Sequence, residues 1–434
     1  MPVLPSTGCT LLPPPGSVPC APAYARPWNQ SSSGPVAKRA GSRGRTDAEA
    51  AGHLDVERTR ELFEASTDFT IGLEEEFAIV DPDTLELQHR FDDLYASCLD
   101  DELLAESAAG ELIDTEIEIR SGKSASFAEA AERQRERRAR LFALAEGMGL
   151  GLAATGTHPW ADYLDQRIIE TPHYARLREE LRWVAQRNNT WSLHVHVGIR
   201  GVDRAVAVCD HLRGLLPTLL ALSANSPFLD GRDTGLHSVR TEIFTRTFPR
   251  CGVHEPFRTW ETYAEFVDLL VRTNSIAEST QLWWSVRPHH AFGTVELRIC
   301  DAQTRGAESF AIEALIAACV AQSALDYDAG RLPEPMRQRE VEENLWRAIR
   351  HGMDGKLIDF ERGRELPARG AVERLLNWTA PARGALGLEV TIPEANGAQR
   401  DRAALAEGAS IAEIYREAVA ETRRTYVPEG VSTK

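Results

Sequence analysis

Residues 69–80 read Phe69-Thr70-Ile71-Gly72-Leu73-Glu74-Glu75-Glu76-Phe77-Ala78-Ile79-Val80, and the reading of this stretch decides the fold. Taken with a period of two, Phe69, Ile71, Leu73, Phe77 and Ile79 fall on one side. Thr70, Gly72, Glu74, Glu76 and Ala78 fall on the other, which is the alternation of a half-buried strand. Glu74 and Glu76 therefore point the same way, while Glu75 points to the apolar side and needs a partner there. Two like charges about 4 Å apart repel by roughly 4 kcal/mol at an effective dielectric near 20. A strand that aligns two carboxylates thus calls for water, a basic partner or a metal beside them.

Three later stretches share this design. Near Thr115–Ser121, Thr115, Ile117 and Ile119 take one side, and Glu116, Glu118 and Arg120 the other. Trp191–Arg200 sets Trp191, Leu193, Val195, Val197 and Ile199 against Ser192, His194, His196 and Gly198. In Phe292–Cys300, Val295, Leu297 and Ile299 oppose Thr294, Glu296, Arg298 and Cys300. An antiparallel sheet with one solvated face alternates in this way as a matter of course, so a single strand says little. The set says more. Solvated faces mix Lys, Thr, Ser and Gln, whereas these offer Glu74, Glu76, Glu118, His194, His196, Glu296 and Arg298, with no Lys.

Hard oxygen ligands with a little imidazole suit magnesium or manganese better than zinc. Magnesium takes one or two carboxylates plus substrate phosphates, so a floor this acidic predicts two or three ions sharing ligands around a polyphosphate. Arg298, two residues after Glu296 on the same face, stands where a transferring phosphoryl group develops charge. His194-Val195-His196 also permits a zinc hydrolase reading, which calls for further His ligands and an Asp.

Composition bounds the rest. The chain has 434 residues, a formal net charge of -16 and an ordinary apolar content, enough for one large domain or two to three smaller ones. No basic stripe offsets the acidity, which argues against nucleic-acid partners. The most apolar run, Phe310–Ala321, is interrupted by Glu313 and reads as a buried helix, so no membrane association is expected. Seven scattered cysteines without a Cys-x-x-Cys pair fit a reducing cytoplasm.

Residues 1–54 are rich in Pro, Ser and Arg, and the first acidic residue is Asp47. They read as a disordered N-terminal extension, because such a segment cannot bury enough apolar surface to order itself. From Asp55 the pattern is regular. Ser126 to Glu129 and Ser410 to Glu413 are capping boxes that open helices. Asp203–Ala224 reads as one helix kinked at Pro217, and Asn225–Arg250 as a polar loop. Arg305–Tyr426 is dominated by helical patterns.

Several motifs in register resemble the carboxylate-amine ligase family, also called type 2 glutamate-cysteine ligases and distantly related to glutamate-cysteine ligase and glutamine synthetase. They are Ile71–Phe77, Glu111–Glu118, Gly156-Thr157-His158-Pro159, His194–Gly198, Leu222–Pro227, Arg287-Pro288 and Phe292–Arg298. The resemblance implies an α+β fold, with a curved antiparallel sheet forming a funnel-like active site and helices on its outer face. It implies a single catalytic domain over residues 55–434, bound ATP and two or three magnesium or manganese ions. Glu74, Glu76, Glu111, Glu118, His196 and Glu296 are the implied metal ligands, Arg298 and Glu296 the catalytic residues, and Arg298, Arg287 and Arg240 the nucleotide or carboxylate contacts. Glu111 lies seven residues before Glu118, on the opposite parity, and must reach the site from a loop or bulge.

The implied reaction forms an amide through an acyl phosphate, with L-glutamate, L-cysteine and ATP as substrates and a homodimer as the family's assembly. A metal-dependent hydrolase and a non-catalytic ATP-binding protein of the same fold are the alternatives. On the sequence alone, Glu296→Gln and Arg298→Ala should leave folding nearly intact and cost turnover at least about a hundredfold.

Overall fold

The structure of the protein is a computed structural model that describes residues 56–277 and 279–427. The Pro-rich segment 1–54 lies outside the described residues. The alternating stretches all form strands, somewhat shorter than their patterns. In chain order the sheet contains β1 (Ile71–Val80), β2 (Ala108–Ala109), β3 (Glu116–Arg120), β4 (Gly151–Ala153), β5 (Leu193–Gly198), β6 (Val286–His289) and β7 (Thr294–Leu297).

Their order is β6-β7-β5-β1-β3-β2, with β4 also paired to β1, and every pairing is antiparallel. The long β1 is central: Ile71–Glu75 pairs with β5, Glu74–Ala78 with β3, and Ala78–Val80 with β4. Pro288 sits in β6 at the sheet edge, where a missing N–H does not interrupt a ladder.

Helices cover the apolar face. Ile71, Leu73, Val195, Val197, Val295 and Leu297 share one core with α2 (Val202–Leu212), α3 (Leu216–Ser223) and α4 (Gly306–Asp328). Phe77, Ile79, Ile117 and Ile119 share a second with α1 (Phe127–Gly147) and α5 (Ile411–Tyr426). Helix α4 is long and apolar enough to cross a bilayer, yet 89% of its most apolar window is buried inside the structure, as befits a core helix.

Between the two cores lies Glu75, and its partner is Arg138 of α1. Arg138 Nε donates to Glu75 Oε2 at 2.6 Å and Nη2 to Oε1, while Ser309 Oγ and Gln134 Nε2 also donate to the carboxylate. The Arg138 guanidinium is stacked 3.8 Å over the Phe310 ring.

Ser126 caps α1 by accepting from Glu129 N, and the Ser410–Glu413 capping box of α5 is complete. The single kinked helix expected over 203–224 is instead two, α2 and α3, bent by 59°. Pro217 stands in the first turn of α3, where its missing N–H costs no helical bond. Within the expected loop 225–250, Val239–Thr247 is helical, started by Ser238 Oγ accepting from Thr241 N. A hairpin, Lys356–Asp359 with Arg364–Pro367, interrupts the helical C-terminal part. The described cysteines, Cys98, Cys209, Cys251, Cys300 and Cys319, are all free.

Candidate active site

The face opposite the helices gathers the charged residues in rows that the register sets. Arg287, Glu296, His196 and Gly72 stand side by side across β6, β7, β5 and β1. His194, Glu74 and Arg120 form the next row, and Glu76 and Glu118 the one after. Ala78 and Glu116 follow.

Distances join the rows into one site. His196 Nε2 lies 3.3 Å from Glu74 Oε1 and 3.9 Å from Glu296 Oε1, and His194 lies 3.0 Å from Glu74 and 3.4 Å from Glu76. Three groups bring their ligand atoms within 4.8 Å of one another: Glu74, His196 and Glu296; Glu74, Glu118 and His194; Glu76, Glu111 and Glu118. Glu74 and Glu118 each belong to two groups, so they can bridge neighbouring ions. Carboxylate oxygens with occasional imidazole fit hard divalent cations.

Charge divides the site into two ends. Glu296 is fully buried; against that burial, Arg287 and Arg298 hold its carboxyl well below the ordinary range. Arg287 Nε donates to Glu296 Oε2 at 2.7 Å and Arg298 Nη1 to Oε1 at 2.5 Å. Burial disfavours the charge on His196, but Glu74 and Glu296 outweigh it and raise the ring's pKa. His194 moves the other way, down to about 4, through burial and the adjacent Arg298.

At the far end the compensation falls short, although Arg120 lies 3.2 Å from Glu118. Burial and Glu111 push Glu76 up to about 7, although Ser192 N and Oγ donate to it. Burial and neighbouring carboxylates also raise Glu118 and Glu116 well above the usual range. A fold that crowds buried carboxylates in this way destabilises itself unless a cation is present.

All six residues named as metal candidates, Glu74, Glu76, Glu111, Glu118, His196 and Glu296, thus lie in these groups. Glu111 comes from the loop before β3, as its parity required. The arginines differ in what they have to spare. Three nitrogens of Arg287 are engaged, by Glu296 and by the Thr280 and Leu282 carbonyls. Arg240 is buried beneath the Arg298 backbone, donating to the Arg298 and Ile299 carbonyls and lying 3.5 Å from Asp301. Arg298 is the least buried of the three, and its Nε, like that of Arg240, is buried without a hydrogen-bond partner.

Sequence reasoning left His194 out of the ligand set, although it shares parity with His196 and its ring joins Glu74 and Glu118 in one of the three groups. It also missed Asp301, for a physical reason. The alternation breaks after Leu297: Leu297 pairs with Val195 but Ser192 bridges Asp301, one residue later than an unbroken ladder allows. This bulge turns Cys300 into the apolar core, where burial pushes its thiol up to about 12. Asp301 instead accepts from Asn225 N, Ser226 Oγ and Ser238 Oγ. Gly156 packs here because a Cβ would meet Asp301 and Ser226 at 2.8–2.9 Å.

Residues 70–429 match the glutamate-cysteine ligase family 2. The chain is 37% identical over 356 residues to "Putative glutamate--cysteine ligase 2-2" of Rubrobacter xylanophilus, covering 82% of this chain and 91% of that one. It is 39% identical over 342 residues to a Sorangium cellulosum relative named as a type 2 enzyme of the same kind, covering 79% and 89%. Among solved structures it is similar to glutamate-cysteine ligase from Francisella tularensis in complex with AMP (TM-score 0.60, 10% identity, 84% of this chain and 90% of that one). The bifunctional glutathione synthetase of Pasteurella multocida shares the fold at a TM-score of 0.59 and 14% identity, covering 85% of this chain and 54% of that one. By sequence, then, this chain belongs to the glutamate-cysteine ligase family 2.

Proposed function

We propose that the protein is an ATP-dependent carboxylate-amine ligase acting on L-glutamate and L-cysteine, with residues 55–434 as its catalytic domain. One observation carries this reading: three overlapping ligand groups share one sheet face with Arg298. Family membership supports the reaction class.

The chemistry is an ordered pair of displacements. A substrate carboxylate oxygen attacks the γ-phosphorus of ATP, the bond to the ADP oxygen breaks, and an acyl phosphate forms. The amine nitrogen then attacks the acyl carbon, phosphate leaves with the C–O bond electrons, and the amine gives up a proton. Divalent cations, when bound, neutralise the phosphate oxygens.

The chain's own part is to hold and orient. Glu74, Glu76, Glu111, Glu118, His196 and Glu296 would hold the cations, with Glu74 and Glu118 spanning neighbouring ones. Arg298, the least buried of the three arginines, would meet the transferred phosphoryl group with its guanidinium, its position set by Glu296 on one side and by Arg240 under its backbone. Arg287 would keep Glu296 ionised and in place. No protein nucleophile is needed, and alignment of two bound reactants supplies much of the rate.

The test is a panel of amino acids and amines with ATP and magnesium, read by ADP and phosphate release and by product mass. Glutamate with cysteine should give γ-glutamylcysteine, with one ADP released for each amide formed. Failure of every carboxylate and amine pair to release ADP would sink the ligase reading. Zinc-dependent hydrolysis without ATP would replace it with the hydrolase alternative.

A further inference from the structure

The two nitrogens of His196 face different surroundings, and one of them has a partner outside the ligand set. Nε2 looks towards the carboxylates, 3.3 Å from Glu74 Oε1 and 3.9 Å from Glu296 Oε1, and these three residues form one ligand group. Nδ1 lies 3.0 Å from Thr294 Oγ1. Both residues are buried.

The register accounts for the contact. Thr294 shares the polar face of β7 with Glu296, and because Glu296 pairs with His196, Thr294 stands diagonal to the imidazole. Directly opposite Thr294 on β5 is Gly198, which offers no side chain to compete for the hydroxyl. His289 and Phe292 wall the ring, with their centroids 5.1 and 5.6 Å from that of His196 and their planes steeply inclined to it.

Imidazole chemistry gives the contact a direction. A neutral ring carries one N–H, and a nitrogen that lends its lone pair to a cation cannot keep the proton. With Nε2 facing the ion group, the proton belongs on Nδ1, and a buried N–H needs an acceptor. Thr294 Oγ1 is that acceptor. Without it the ring favours the opposite tautomer, whose Nε2–H points at the Glu74 and Glu296 carboxylates and cannot ligate.

We propose that Thr294 is a positioning residue for the Glu74, His196 and Glu296 cation group: its hydroxyl accepts a hydrogen bond from Nδ1–H and so holds His196 in the tautomer that presents the Nε2 lone pair. It acts through His196. This inference rests on the cation-binding reading of the site.

The experiment titrates manganese into the chelator-treated full chain and reads free Mn2+ by electron paramagnetic resonance, for wild type, Thr294→Val and Thr294→Ser. Thr294→Val keeps the shape and removes the hydroxyl. One ion should then bind at least about tenfold more weakly, as when the group that orients a ligating histidine is lost. Thr294→Ser should restore wild-type binding. A second measurement follows the ring itself: the nitrogen NMR signals of His196 in the magnesium-loaded wild type, assigned by their absence in His196→Gln, should show the proton on Nδ1.

Equal manganese binding by wild type and Thr294→Val overturns the assignment. So does a Thr294→Ser that binds as weakly as Thr294→Val, since packing rather than the hydroxyl is then at work. A proton on Nε2 in the magnesium-loaded wild type overturns it as well, whether or not Thr294→Val folds. If the wild type itself binds no manganese, the cation reading falls, and this inference with it.

Discussion

Consecutive residues of β1 invite one chemical change with opposite outcomes. Glu75→Gln removes the charge from a carboxylate that is 3% exposed and accepts from Arg138, Ser309 and Gln134. Arg138, itself 1% exposed, is left with a buried and uncompensated guanidinium. Breaking a buried ion pair from one side costs about 3–5 kcal/mol, a large share of the roughly 5–15 kcal/mol that keeps a domain folded.

Glu313 softens the loss. It is fully buried near the same arginine, and burial together with the charge on Glu75 holds its pKa well above the ordinary value. Removing the Glu75 charge lets Glu313 ionise towards Arg138, which places the single variant near about 3 kcal/mol and Glu75→Gln with Glu313→Gln near about 5 kcal/mol.

Glu76→Gln, one residue on and facing the cation site, removes a charge from a crowd of acids. In chelator it should be at least as stable as the wild type. Urea unfolding followed by circular dichroism measures all four proteins, and ADP release per folded molecule should survive Glu75→Gln and fall with Glu76→Gln. If Glu75→Gln unfolds within about 0.5 kcal/mol of the wild type, the reasoning that breaking the buried Glu75 and Arg138 pair is costly is wrong.

Four further outcomes follow from the structure. Glu296→Gln strands Arg287 and Arg298, so the expectation of near-intact folding from sequence gives way to a stability loss of about 3–5 kcal/mol, together with at least about a hundredfold lower turnover; urea midpoints and phosphate release check both. Arg298→Ala, at the more open edge of the site, should keep most of its stability and lose activity to a similar extent, measured in the same two assays. His158 is held neutral by burial, with its pKa lowered to about 4 while Nδ1 accepts from Trp160 N and Ala161 N. Its folded pKa lies below the ordinary 6.5, so its contribution is complete above about pH 6.5 and is lost as pH falls towards 4, by up to about 3 kcal/mol; His158→Asn should flatten that part of the stability profile measured by urea unfolding. Gly156→Ala drives a Cβ to 2.8 Å from Asp301 and should cost about 1–3 kcal/mol in thermal unfolding, with some loss of activity through the Asp301, Arg240 and Arg298 chain.

The alternation of side chains is a property of the extended backbone, so the facing of Glu74, Glu76, Glu118, His196 and Glu296 was already determined by the chain's order of residues. The same rule sent Glu75 to the apolar side and required its ion pair there, and motif order alone pointed to the family. Capping residues marked the starts of α1 and α5 for an equally local reason.

What pattern could not supply is adjacency. That β5 lies between β1 and β7 depends on which strands pair and in what register. That choice alone brings His196 against both Glu74 and Glu296, and lets Glu74 and Glu118 serve two ligand groups each. The loop path that delivers Glu111 and the bulge that exchanges Cys300 for Asp301 break the local rule, as does the packing that turns Arg240 under Arg298. Each is settled by non-local contacts, because a side chain's partners are chosen by the whole packed chain, whereas its direction is chosen by its own few backbone angles.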